Sequence, residues 1–299
     1  MTYSESEIFT DHLTVTFSPE NSPSDLVENF FISIGCLPVH GNDPTVRSFR
    51  TGCNGWGHIR EKKRYTSIEA SGRFLYVMRT VQVFNEYLSL LSTCPHKVTR
   101  LDAALDVGRD FVDWHSEFVA KYPRRKVPLM RKGAIASEVM GPRDDGKMSG
   151  SVYIGQRGKN RQIMRVYDKT KEALDRRGEI IPPTVRYEVE VGRNFGATLR
   201  DAADPTSLFY HVASPSILPL PGNIPSWSSH AFDGWKFDPD SLVPHELMVR
   251  LFENSVEIPK LLSLADDVGT GGRRSLARLL LRQLDLSLAD RKALLKPIS

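Results

Sequence analysis

Alternation of apolar and polar positions is the strongest signal along this chain. His12–Phe17 alternates and is rich in β-branched residues, which predicts a half-buried strand. Pro19 and Pro23 end it, and Asp25–Ile34 has helical spacing behind a Ser24 cap. Residues 35–57 read as loop and 64–70 as a second strand, closed by Ser71-Gly72. Residues 74–91 then read as one amphipathic helix, with Leu75, Met78, Val81, Phe84, Leu88 and Leu91 on one side and Cys94-Pro95 as the stop.

The next strand, Val98–Val107, has two unlike faces. Leu101, Ala103, Leu105 and Val107 share one; Arg100, Asp102, Ala104 and Asp106 share the other. A helix-compatible segment, 114–121, and a basic loop lead to Ser151–Lys171, two short strands joined by a basic, glycine-containing turn. There Val152, Ile154, Met164 and Val166 point one way, and Tyr153, Arg165 and Tyr167 the other. A helix over 169–177 and Pro182-Pro183 precede Val185–Val191, which sets Arg186, Glu188 and Glu190 opposite Tyr187, Val189 and Val191. The fold class expected is α+β: a mostly antiparallel sheet with helices packed on its apolar face, the polar face left as a working floor. Residues 205–235 read as linker or wrapping loop, and 244–254, 258–266 and 273–286 as short helices. The expected division is a main domain over 1–222 and a C-terminal helical region over 223–299.

Composition narrows the class. With 40% hydrophobic and 25% charged residues, the 299-residue chain is globular and not disordered. The net charge of +4 is unevenly spread: no Lys or Arg precedes Arg47, and cations cluster at Arg60–Arg64, Arg124–Lys132 and Arg157–Arg177. Such clusters suit a polyanion, although each by itself also reads as a solvated face. Cys36, Cys53 and Cys94 show no CxxC spacing, which points to a reducing compartment and away from a zinc module. With no apolar run of about 18 residues and no signal-like N-terminus, the expectation is a cytoplasmic protein without a membrane partner.

Two kinds of chemistry fit the polar floor. A hard divalent cation takes carboxylate oxygens, usually from one or two acidic side chains. Same-face residues four apart on a strand lie roughly 13 Å apart, so Asp102 and Asp106 cannot share one ion. One of them with Glu188 or Glu190 on a neighbouring strand can. The same residues also read as plain ion pairs, Asp102 with Arg100 and Glu188 with Arg186. Tyr167 is the candidate nucleophile. A free phenol is only about 0.1% ionised at pH 7, and making phenolate the majority species needs roughly 4 kcal/mol. Arg165, Lys169 and a bound metal are the available sources. Alternatively, Tyr167 is an ordinary core or interface aromatic. The eight histidines form no HExxH, and neither GxSxG nor a Walker-type GxxxxGK[ST] occurs.

The order of five segments resembles one family: Ile68–Gly72 (IEASG), Thr99–Asp106 (TRLDAALD), Val152–Gly155 (VYIG), Met164–Lys169 (MRVYDK) and Arg186–Glu190 (RYEVE). Together they are similar to the replication initiation factors of rolling-circle plasmids and filamentous phages, the Rep_trans type. That resemblance implies a bacterial host cell and a site-specific endonuclease and strand transferase. Such proteins nick one strand at a double-strand origin, keep the 5′ phosphate on a tyrosine, and leave a 3′-OH for host polymerase and helicase. It implies Tyr167 as nucleophile with Arg165 and Lys169 beside it, and Mg²⁺ or Mn²⁺ on carboxylates drawn from Asp102, Glu188, Asp106 and Glu190. DNA, double- or single-stranded, would meet Arg100, Arg157, Lys159, Arg161, Arg186, Lys62, Lys63 and Arg64. Family members commonly act as homodimers. The readings from other classes are a non-catalytic origin-binding regulator and a nuclease that uses metal-activated water.

Overall fold

In the computed structural model of the protein, the described residues are 7–129, 132–143, 145–155, 162–213, 217–218, 222–224 and 226–228. In chain order they form β1 (Phe9–Phe17), α1 (Ser24–Ser33), β2 (Leu37–Val39), β3 (Val46–Arg50), β4 (Trp56–Lys62), β5 (Tyr65–Ser71), α2 (Gly72–Thr80) and α3 (Phe84–Leu91). Then follow β6 (His96–Val107), α4 (Phe111–Lys121), β7 (Lys126–Leu129), β8 (Lys132–Pro142), β9 (Met148–Ile154) and β10 (Gln162–Asp168). α5 (Lys169–Arg177), β11 (Val185–Gly192), α6 (Leu199–Ala203) and α7 (Thr206–Ala213) complete the described elements. The pairings β2–β3, β3–β4, β4–β5, β7–β8, β8–β9, β9–β10, β10–β11 and β11–β6 are all antiparallel, so the α+β expectation holds.

The described residues fall into two compact units. One contains Val15–His96. Its strand order is β2-β3-β4-β5, and Phe49, Ile59 and Ile68 are buried with the helices. The core is aromatic: the Phe31 ring centroid lies 4.7 Å from Phe74, 5.2 Å from Phe49 and 5.7 Å from Tyr87. A Cβ at Gly57 would come within 2.9 Å of the Phe74 ring, so this strand needs glycine where the ring crosses it.

The other unit contains, of the described residues, those up to Thr14 and those from Lys97 onward. Its order runs β6-β11-β10-β9-β8-β7, with the start of β1 beside β6. Leu101, Val152, Ile154, Met164, Val166, Val189 and Val191 form the buried face. The α4 ring of Trp114 meets Tyr187 edge-on at 6.1 Å, and Leu208, Phe209 and Val212 of α7 are fully buried. Thr10 on β1 donates to the Ala202 carbonyl of α6 at 2.6 Å.

Four expectations are corrected. The helix expected over 74–91 is two helices, because Gln82 adopts the left-handed region with φ +61°. There the Val83 N–H reaches the Met78 carbonyl and the Gln82 N–H that of Arg79, closing α2 without a glycine. The loop expected over 35–57 holds β2, β3 and the start of β4, strands too short to show alternation. The basic loop before Ser151 contains β7 and β8, and the loop expected from residue 205 contains α7. The helices expected over 244–286 lie outside the described residues.

Candidate functional site

Antiparallel register decides which side chains meet. Asp102 lies opposite Glu190, Ala104 opposite Glu188 and Asp106 opposite Arg186. Glu188 in turn lies opposite Arg165, and Arg186 opposite Tyr167. Arg165 then faces Tyr153, and Tyr167 faces Ser151. Directly opposed residues share a sheet face. Three rows therefore cross β6, β11 and β10, and the last two continue onto β9: Asp102–Glu190–Ile163, Ala104–Glu188–Arg165–Tyr153 and Asp106–Arg186–Tyr167–Ser151. A depression open to solvent is lined by Arg100, Tyr153, Ile163, Arg165, Glu188 and Glu190.

Each carboxylate on this face has an arginine. Arg100 donates through Nε and Nη2 to the two oxygens of Asp102 at 2.9 and 2.5 Å, and its Nη2 also lies 3.5 Å from Glu190. Arg165 Nη2 donates to Glu188 at 2.6 Å. Arg186 donates from Nε and Nη2 to Asp106 at 2.6 Å each, and from Nη1 to Asp11 at 3.0 Å. The Arg100–Asp102 pair is the one the sequence suggested; Glu188 pairs with Arg165 instead of Arg186. Arg186 is only 8% exposed, its guanidinium 5.0 Å from the Phe9 ring centroid. Asp11 was missed by sequence reading, because the strand expected at His12 begins earlier and carries Asp11 in β1.

Tyr167 and Lys169 straddle the junction of β10 and α5. Asp168 between them caps the helix, accepting from the Lys171 N–H at 2.9 Å and from the Ser149 hydroxyl. Their positions are thereby fixed by the local fold. The Arg165 guanidinium lies 4.5 Å and the Lys169 ammonium 5.8 Å from the Tyr167 ring centroid. Tyr167 is 6% exposed. Burial pushes its phenol well above the ordinary value; Arg186 and Arg165 pull against this, while Glu188 and Asp11 add to it. Both side chains expected to stabilise a phenolate are already engaged: Arg165 with Glu188 and Lys169 with Glu172, at 2.6 Å each. Burial and the neighbouring Arg186 lower Lys169, against the pull of Glu172.

Among the described residues no group of three His, Cys, Asp or Glu side chains is arranged as a ready metal shell. Two carboxylates plus water and phosphate suffice for Mg²⁺, however. Asp102 and Glu190 already flank one cationic atom, Arg100 Nη2. Burial pushes the Asp102 acid up to about 8 against the pull of Arg100, with Glu188 and Glu190 adding to the rise. Hard carboxylate oxygens crowded in this way fit a divalent cation, whose charge would favour the ionised form of Asp102. Asp106 stands apart from that pair, bound to Arg186. Of the remaining cations, Lys62 pairs with Asp43 at 3.1 Å, and Lys63 and Arg64 are exposed at the turn between β4 and β5. Arg157, Lys159 and Arg161 lie outside the described residues.

Comparison with known proteins bears on this face directly. The family model described as replication initiation factor, Rep_trans, matches residues 96–196. That stretch holds four of the five segments on which the resemblance rests; Ile68–Gly72 precedes it. No curated protein matches the chain. A solved structure of a rolling circle replication initiator protein from Geobacillus stearothermophilus is similar at a TM-score of 0.50 and 14% identity, covering 83% of this chain and 96% of that one. That likeness is one of fold. Residues 96–196, which carry Tyr167 and the arginine–carboxylate rows around it, are thus similar to the replication initiation factor family.

Proposed function

We propose that the protein starts rolling-circle replication by nicking and later rejoining one DNA strand at a plasmid or phage origin, with Tyr167 as the nucleophile. The observation that supports this best is the row Asp106–Arg186–Tyr167 beside Glu188–Arg165, a phenol among guanidiniums on a polar sheet face. In the step, the Tyr167 oxygen bonds to phosphorus while the bond from phosphorus to the 3′ oxygen breaks. The phenol proton passes to a base, and the departing 3′ oxygen takes up a proton to become the free 3′-OH. Attack by a 3′-OH on the phosphotyrosine reverses the sequence, so rejoining needs no ATP.

Because burial holds the phenol protonated, its proton must leave as the new bond forms. Asp11, a carboxylate whose charge acts on that phenol and which Arg186 holds, is the acceptor we assign. Arg165 and Lys169 meet the phosphate oxygens, and Arg186 fixes Asp11 and Asp106. Asp102 and Glu190, with Glu188 beside them, would hold Mg²⁺ or Mn²⁺, which would supply Lewis-acid polarisation of the scissile phosphate. Host helicase and polymerase then extend the 3′ end, and a homodimer would provide a second Tyr167 for termination.

Supercoiled origin DNA incubated with Mn²⁺ tests the reading. Wild-type protein should relax it and remain on the 5′ end after denaturation; Tyr167→Phe should do neither while still binding the origin. An adduct formed by Tyr167→Phe would shift the nucleophile to Tyr153. Nicking without any adduct would favour metal-activated water, and binding without nicking a regulator.

A further inference from the structure

The unit built from Val15–His96 carries a second pattern that the nicking reading does not use. Register on β2–β5 defines one face of rows opposite the buried Phe49, Ile59 and Ile68: Leu37–Arg50–Trp56, Val39–Ser48–His58–Glu69, Val46–Arg60–Ser67 and Lys62–Tyr65. On it Trp56 is 37% and Tyr65 44% exposed. Part-exposed rings on a sheet face offer flat apolar surface on which a planar ligand group can stack.

The ring system is held in place beforehand. Trp56 and His58 stack with centroids 6.1 Å apart and planes 13° from parallel. The Arg50 guanidinium lies 5.6 Å from the Trp56 centroid, kept there by its Nε–H donating to Asn54 Oδ1 at 2.8 Å. Ser48 Oγ meets His58 Nδ1 at 2.9 Å. Burial and the Arg60 charge lower the His58 pKa, so the imidazole is a neutral plate at pH 7.

Charge on the same face is one-sided. Glu69 pairs with Arg60, and Asp43 with Lys62. Arg50 donates to a neutral amide, that of Asn54, and Lys63 and Arg64 stand exposed at the hairpin turn. From Trp56 to Lys62 the face runs about 20 Å along β4, room for several nucleotides.

We propose that this face binds single-stranded DNA, with bases stacking on Trp56 and Tyr65 and phosphates meeting Arg50, Lys63 and Arg64. Unstacked bases offer open π-faces to Trp56; a duplex has spent its own in base stacking and would meet only the cations. The site is independent of the nicking chemistry.

The test is a titration of the full chain with a labelled oligo(dT), read by anisotropy, with an unlabelled duplex of equal length as competitor. Trp56→Ala should weaken oligo(dT) binding by about 5- to 160-fold, the range for removing one stacking ring. Trp56→Phe, which restores a ring, should bind within about 5-fold of wild type. Replacing Lys63 and Arg64 by Ala should lower the salt slope by roughly 1.4, the value for two phosphate contacts on a single strand. Circular dichroism confirms that each variant is folded. Wild-type affinity in Trp56→Ala, equal weakness of the Phe and Ala variants, or a duplex that competes as well as a single strand would each overturn the proposal. Oligo(dT) is not an origin, so a negative result leaves Tyr167 untouched, and loss of nicking in Tyr167→Phe leaves this face untouched.

Discussion

Arg186 is the residue whose loss most directly tests the electrostatics of the polar face. Its side chain is 10% exposed and bridges Asp106, at 36%, and Asp11, at 19%. Arg186→Met keeps apolar bulk against Phe9 and removes the charge. Stranding one partner of a buried pair costs about 3–5 kcal/mol, whereas an exposed pair contributes about 0–1. Asp11 lies near the first limit. Asp106 is more than a third open to water, so its share is screened and small. The expected loss is therefore about 2–3 kcal/mol, below the full buried-pair figure.

Urea unfolding followed by circular dichroism measures it. The sign with pH follows from the stranded carboxylates: in the variant their ionisation opposes folding, and acid that protonates them removes the penalty. The deficit against wild type should be complete at pH 7 and shrink as pH falls toward the ordinary carboxylate range, about 4. Asp11→Asn added to Arg186→Met should recover part of the loss. A deficit under about 1 kcal/mol at pH 7, or one unchanged in acid, would show that Arg186 acts by packing alone.

Three further outcomes are expected. Phe31→Ala empties the centre of an aromatic cluster in which Phe31 is fully buried, and should cost about 3–5 kcal/mol in thermal or urea unfolding. Asp110 accepts from the Val112 N–H and from Arg143; burial alone would raise its acid, but these bonds outweigh it and hold it below the usual value. Asp110→Ala should therefore cost about 1 kcal/mol at pH 7. Because the folded-state value is depressed, that stabilisation is present above the unfolded carboxylate range and is lost as pH falls through the folded value, so wild type and variant should converge in acid. Burial pushes the Cys36 thiol up while Cys53 and Cys94 are partly open, so a thiol reagent should label two cysteines quickly and the third only on unfolding.

Much of the architecture was legible because sheet alternation is a strong local signal. Val185–Val191 and Val98–Val107 each announced one apolar and one polar face, and the register of β11 on β6 stacks those faces as expected. The misses have local causes. Val81 and Val83 continue an apolar stripe across the end of α2, and nothing in the pattern marks Gln82 as the residue that turns left-handed. A glycine there would have been read as a stop; glutamine was not. β2 has three residues and includes Pro38, too short and too interrupted for a period of two to appear.

Apart from Asp11, the members of the candidate site were legible in the sequence; their pairings were not. Parity along a strand fixes which face a side chain takes; only register between strands fixes its neighbour. Arg186 and Glu188 are two apart on one strand and read as a pair. In the folded sheet Arg186 turns to Asp106 and Glu188 to Arg165, each across to an adjoining strand. The consequence is chemical. Pairing Glu188 with Arg186 would have left Arg165 free to hold a phenolate; pairing it with Arg165 leaves Tyr167 under a guanidinium whose charge is already shared, and burial keeps the phenol protonated. On the proposed reading, a phosphate or cation that draws Arg165 away from Glu188 would change that balance and so would tie the reactivity of Tyr167 to the arrival of DNA.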